Sequence, residues 1–170
     1  MSAISDPRGR TTDGHLPPVR IVVTGAAGFI GGQLLRTLRG LHAASELLAV
    51  DHPLKPAMGT AAEAFGGVRF LTHSQFLEAL QAGILRPELI FHMGACSSTT
   101  ETDWNYLADN NLGYSQKLWL WAAAHEARLL YASSAATYGD GENGFDDTVE
   151  LRSEEHTSEL QSRQYLVCRL

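Results

Sequence analysis

The chain is short of cysteine, of basic charge and of long apolar runs, and each shortage closes off a class of function. Its 170 residues hold two cysteines, Cys96 and Cys168. Two thiols make no disulfide framework, and neither falls in a metal-ligand spacing. A reducing cytoplasm is the expected compartment. Lys and Arg number 13 against 19 Asp and Glu, a net charge of −6, which argues against a nucleic-acid partner. Part of that excess is local. Asp140, Glu142, Asp146, Asp147 and Glu150 fall in one stretch without a base and read as a solvated loop. Residues 1–18 are rich in Pro, Gly, Ser, Thr and Asp and have no apolar run, so they read as a disordered extension, neither secretory signal nor membrane anchor. What is present, 44% apolar and 19% charged residues, is the composition of a globular domain long enough to bury one core.

Short β-branched or apolar runs alternate with amphipathic stretches. Strands are expected at 19–24, 46–51, 68–71, 88–92 and 128–133. Helices are expected at 29–41, with Ile30, Leu34, Leu35 and Leu38 on one face, and at 74–82, with Ser74 as N-cap. A weak helix is expected at 57–65. A long one is expected at 104–127, where Leu107, Asn111, Tyr114, Leu118 and Trp121 form the stripe that faces the sheet. Strand–helix alternation predicts an α/β fold with a Rossmann-type parallel sheet, order 3-2-1-4-5, flanked by helices and truncated after strand five. The ligand crevice should lie between strands one and four. The domain is expected to run over 19–151.

The first strand leads into Thr24-Gly25-Ala26-Ala27-Gly28-Phe29-Ile30-Gly31. Gly25 permits a sharp turn. Gly28 leaves room for a pyrophosphate, Gly31 lets helix and strand close up, and the helix N-terminus offers amides to the phosphates. The spacing is G-x-x-G-x-x-G rather than the commoner G-x-G-x-x-G. Asp51, at the end of strand two, is placed to accept hydrogen bonds from adenosine ribose hydroxyls, which favours NAD. Lys55, just beyond His52, could pair with a 2′-phosphate, which favours NADP. Charge alone leaves both cofactors open.

After strand four comes His92-Met93-Gly94-Ala95-Cys96-Ser97, small residues against which a dinucleotide can lie. Cys96 has no base placed beside it and reads as a small buried thiol. His92 reads as a packed strand-end histidine. Asn110 and Asn111 are poor helix formers set mid-helix. A polar pair there wants partners, in the cofactor or in neighbouring backbone.

Three stretches together, residues 23–31 (VTGAAGFIG), 94–101 (GACSSTTE) with Asp109-Asn110-Asn111, and 131–139 (YASSAATYG), resemble the extended short-chain dehydrogenase/reductase superfamily, and within it the ADP-glyceromanno-heptose 6-epimerases. The resemblance covers about residues 19–150, the N-terminal half of such an enzyme or somewhat less. It implies NADP contacts from Phe29, Ile30, Asp51 and His52, beside the Gly25, Gly28, Gly31 and Lys55 that the turn and the charge already suggest. It sets Met93, Gly94, Ala95, Cys96 and Ser97 on the nicotinamide side, and Asn110 within reach of the cofactor. His52 departs from the usual Asp-Asn of that family. Ser134 matches its catalytic serine, Ser133 is strand packing, and Tyr138 closes the motif without being the general base. The implied substrate is an ADP-heptose, epimerised at C6 for lipopolysaccharide core synthesis by a cytoplasmic, homo-oligomeric parent. A non-catalytic NAD(P)-binding fragment of another sugar-nucleotide dehydratase or reductase is the alternative, one that would not require the 94–100 run.

The family's Tyr-x-x-x-Lys pair, about two dozen residues after the serine, is missing. Tyr165 and Arg169 have the i, i+4 spacing, but they fall too far from Ser134, and arginine does not give up its proton. The stretch 152–162 (RSEEHTSELQS) reads as the translation of a sequencing-adapter oligonucleotide. Native sequence is therefore expected to end near Leu151, with 152–170 an artefact tail. The chain as written is expected to be inactive.

Overall fold

A computed structural model describes residues 19–53, 64–96 and 102–132. Five strands, β1 (Ile21–Thr24), β2 (Leu47–Asp51), β3 (Arg69–Thr72), β4 (Leu89–His92) and β5 (Arg128–Tyr131), form one sheet of order β3-β2-β1-β4-β5. Every pairing is parallel. The order predicted from the strand–helix alternation is the order observed. Its reversal between β1 and β4 opens the crevice at the carboxyl ends of those strands.

Both faces of the sheet are covered, so its central strands are apolar on both sides. Ile21 and Val23 of β1, with Leu47 and Ala49 of β2, pack with Leu35 and Leu38 of helix α1 (Phe29–Arg39). Val22, Leu48, Val50 and Ile90 point the other way. They meet Phe76 and Leu80 of α2 (His73–Gln81) and Tyr114, Leu118 and Ala122 of a later helix.

The helix over 104–124 is not α-helical throughout. It comprises α3 (Trp104–Leu107), a π-helical segment (Ala108–Gly113) and α4 (Tyr114–Ala124). The expected stripe holds: Leu107, Asn111, Tyr114 and Leu118 are buried, and Trp121 is partly so. The unbroken α-helix does not. Asp109, Asn110, Asn111 and Gly113 are weak helix formers, and the Ser115 hydroxyl takes the Asn111 carbonyl at 2.5 Å, so a side chain competes with the helical ladder.

Two further expectations are corrected. Ile30 is 64% exposed. The inward stripe of α1 runs through Gly31, Leu35 and Leu38, because the helix starts with Gly31 packed onto the preceding turn. The N-cap of α2 is Thr72, not Ser74: its hydroxyl accepts from the Gln75 amide, and the Gln75 side chain accepts from the Thr72 amide. The expected helix at 57–65 lies mostly outside the described residues. No described helix is long and apolar enough to cross a membrane.

Candidate cofactor site

The glycine turn is built in the way its spacing requires. Gly25 has φ +67°, and a Cβ there would stand 2.7 Å from the Gly94 Cα. A Cβ on Gly94 would in turn stand 2.9 Å from the Gly25 nitrogen. The loops after β1 and β4 therefore touch backbone to backbone at the switch point, and both positions need glycine. A Cβ on Gly31 would meet the Gly25 carbonyl oxygen at 2.2 Å. Gly31 thus lets α1 close onto its own turn rather than onto the strand. Gly28 is looser, since a Cβ would find only the Gly25 oxygen, at 3.1 Å.

The start of α1 is open to an anion. Gly28 occupies the N-cap, no side chain caps the helix and no acid sits in its first turn. First-turn amides left without intrahelical partners are what phosphates bind. Phe29, 93% exposed, stands out beside them with Ile30.

Asp51 bridges the turn to β2. One carboxylate oxygen accepts from the Ala27 amide at 2.7 Å and the other from the His52 amide, also at 2.7 Å. A carboxylate has further lone pairs, so ribose hydroxyls can still be accepted. His52 is exposed, its ring 4.5 Å from that of His73. Lys55, Ser97, Ser133, Ser134 and Tyr138 lie outside the described residues, as does the stretch 152–170.

The loop after β4 is held from below by a buried polar network. His92 is 1% exposed. Its Nδ1 lies 2.7 Å from the Thr24 hydroxyl and its Nε2 2.7 Å from the Ser115 hydroxyl. The Gly94 amide donates to the Thr24 hydroxyl oxygen at 3.3 Å. Asn111 brackets Cys96: its amide oxygen accepts from the Cys96 N–H at 2.7 Å, and its NH2 donates to the Cys96 carbonyl at 3.0 Å. Asn110 donates to the same Asn111 oxygen at 2.9 Å. Of the two mid-helix asparagines, Asn111 is the clamp on neighbouring backbone. Asn110 is half-buried and braces that clamp.

Cys96 is free and half-buried, not a core thiol, because its backbone rather than its side chain is what the helix grips. His92 is packed, as its position suggested. Burial, helped by the neighbouring His73 charge, lowers its pKa to about 4. Burial first, then His52, lowers His73 to about 4, with Asp51 opposing. Tyr114, whose ring lies between His73 and His92, has its pKa raised by burial and then by Asp51. Among the described residues, the Tyr114 hydroxyl and His73 Nε2 have no hydrogen-bond partner. Sequence reasoning missed Thr24 and Ser115. The available signals were a hydroxyl at the end of a buried strand and a serine four residues beyond Asn111.

The profile of the NAD dependent epimerase/dehydratase family matches residues 21–165. The chain belongs to that family. It is 38% identical over 131 residues to an ADP-L-glycero-D-manno-heptose-6-epimerase of Fusobacterium nucleatum, covering 76% of this chain and 39% of that protein. It is 39% identical over 122 residues to the enzyme of the same name from Thiobacillus denitrificans, covering 71% and 36%. The chain thus spans under two fifths of the curated relatives it matches. Among solved structures, Helicobacter pylori ADP-L-glycero-D-manno-heptose-6-epimerase superposes with a TM-score of 0.64 at 22% identity, covering 96% of this chain and 51% of that one. Trypanosoma brucei L-threonine 3-dehydrogenase superposes at 0.58 with 25% identity, covering 72% and 38%. These superpositions show the fold. The residues around the glycine turn fit the dinucleotide that the family name implies: an uncapped helix start, a turn in which Gly25 and Gly31 have no room for a Cβ, and a carboxylate tied to that turn.

Proposed function

We propose that the chain is the N-terminal, cofactor-binding part of an NADP-dependent ADP-heptose 6-epimerase. The observation that carries this reading is the uncapped first turn of α1, with Asp51 bonded to the turn that precedes it. The identity of 38–39% to named heptose epimerases supports the substrate.

In this reading the first-turn amides of Phe29, Ile30 and Gly31 hold the pyrophosphate across Gly28. Asp51 and His52 meet the adenosine ribose, and Lys55 pairs with the 2′-phosphate. Met93, Gly94, Ala95, Cys96 and Ser97 bound the nicotinamide side, with Asn110 within reach. The bound nicotinamide supplies a reversible hydride acceptor. Such an acceptor would allow a C6 alcohol to be oxidised and then re-reduced from the other face, which would invert one centre without net redox change. Ser134 bonds the sugar oxygen as the carbonyl forms. The proton of that hydroxyl calls for a tyrosine assisted by a lysine, and this chain has no such pair after Ser134. Binding is therefore expected without turnover.

Calorimetric titration of the full chain should give saturable binding, tighter for NADP than for NAD. Absence of any saturable signal would overturn the reading. Tighter binding of NAD would overturn the cofactor preference, and measurable epimerisation of ADP-heptose would overturn the expected inactivity. The family match continues to residue 165, past the boundary at 151. The adapter origin of 152–170 is thus a separate proposal, tested by reading the locus with independent long reads. A native frame through 152–162 would end it.

A further inference from the structure

We propose that His92 is a positioning residue which, as the Nε2–H tautomer, fixes both ends of the Met93–Cys96 loop through two hydroxyls. The tautomer follows from proton counting. The Ser115 hydroxyl has one proton, and it is donated to the Asn111 carbonyl. Towards His92, 2.7 Å away, Ser115 can only accept, so Nε2 carries the proton. The ring is buried and neutral, so Nδ1 presents a lone pair. The Thr24 hydroxyl must then donate to it, at 2.7 Å. That leaves the Thr24 oxygen free to accept from the Gly94 amide.

The result is a directed chain of hydrogen bonds with His92 at its centre. On one side it runs through Thr24 to Gly94, where the loop touches the glycine turn. On the other it runs through Ser115 to Asn111, whose side chain brackets the Cys96 backbone. The π-helical segment carries Asn111, and Ser115 takes its carbonyl, so the helix irregularity and the loop grip are one arrangement. A histidine that only filled space would not need both ring nitrogens satisfied by hydroxyls that in turn hold functional backbone. The Nδ1–H tautomer would set two acceptors, Nε2 and the Ser115 oxygen, against each other at 2.7 Å.

The consequence for binding rests on the reading of this loop as the nicotinamide wall, so the test separates the two. Nitrogen NMR of the 15N-histidine-labelled full chain without cofactor should show His92 as the Nε2–H tautomer. His92→Leu keeps much of the volume and loses both bonds, and amide exchange at Gly94 and Cys96 should quicken by tenfold or more. His92→Asn can offer its amide oxygen in the place of Nδ1 and should restore protection at Gly94 but not at Cys96. Packing alone would not produce that asymmetry. Ser115→Ala should loosen Cys96 and leave Gly94 within twofold of wild type. NADP affinity should fall about tenfold in His92→Leu. An Nδ1–H tautomer, equal loosening of both amides in the Asn and Leu variants, or unchanged exchange in His92→Leu would overturn the proposal. Should His92→Leu not fold, the wild-type tautomer and Ser115→Ala decide. Should the wild type bind no dinucleotide, the cofactor reading falls while the exchange and tautomer results still decide the role of His92.

Discussion

Replacing Gly31 by alanine adds one methyl group where the structure has no room for it. The new carbon would stand 2.2 Å from the Gly25 carbonyl oxygen and 2.7 Å from the carbonyl carbon, both backbone atoms that cannot rotate away. Ordinary contact requires the two to separate by about 1 Å or more. Overpacking by one such group costs about 1–3 kcal/mol. Helix propensity returns at most ~1 kcal/mol, and less in a first turn. A net loss of about 2 kcal/mol is expected, which corresponds to roughly 4–8 °C in melting temperature for a chain of this size. Urea unfolding should show a lower midpoint with an unchanged slope. Gly28→Ala is the control. Its Cβ has a single neighbour at 3.1 Å, and the backbone φ of −77° suits any residue. It should melt within about 2 °C of wild type while losing most of its NADP affinity, because the methyl stands at the start of α1 where phosphate is expected. If Gly31→Ala melted with the wild type, or if both substitutions destabilised equally, the division of labour between these glycines would be wrong.

Asp51→Asn leaves one amide oxygen to serve two backbone donors, Ala27 and His52. It should cost about 1–2 kcal/mol in chemical denaturation and weaken dinucleotide binding about tenfold. Asn111→Ala removes both bonds to the Cys96 backbone. It should cost about 2–3 kcal/mol and quicken Cys96 amide exchange without altering exchange in β2. His92 is neutral when folded, with its pKa lowered from 6.5 to about 4. The unfolded chain therefore takes up a proton first as pH falls. Stability should be flat above pH 6.5 on this account and decline between 6.5 and about 4, by about 3 kcal/mol in all. His73, lowered likewise but less buried, adds a smaller share in the same window. Denaturation midpoints measured across that range check the trend, and His92→Asn should flatten it.

Parallel strands and their order were legible because each strand is a short apolar run between amphipathic stretches, and Pro18 and Pro87 stand close before β1 and β4. The glycine spacing was legible because a sharp turn, room for a phosphate and a closely packed helix each call for a missing side chain. What the spacing hid was the partner each glycine touches. Gly31 meets its own turn and Gly25 meets Gly94, contacts that depend on how two distant loops cross. Ile30 was placed inward because apolar periodicity marks a stripe without fixing its phase. The π-helical segment was hidden because a mid-helix asparagine pair says that partners are wanted, not that the ladder will open to reach them. Thr24 and Ser115 were silent because a hydroxyl gains meaning only from the ring nitrogen opposite it, and that ring comes from a strand 68 positions beyond Thr24.

The glycine turn springs from β1, which has a neighbour strand on each side and residues no more than 8% exposed along its length. A strand in that position surrenders its hydrogen bonds only when the whole molecule opens. A dinucleotide held at that turn, as proposed, would therefore be moored in the slowest-exchanging ground of the fold. Release of a bound molecule can proceed through the loops alone, and any ligand seated there should slow proton–deuterium replacement in β1 by the full increment of its binding free energy.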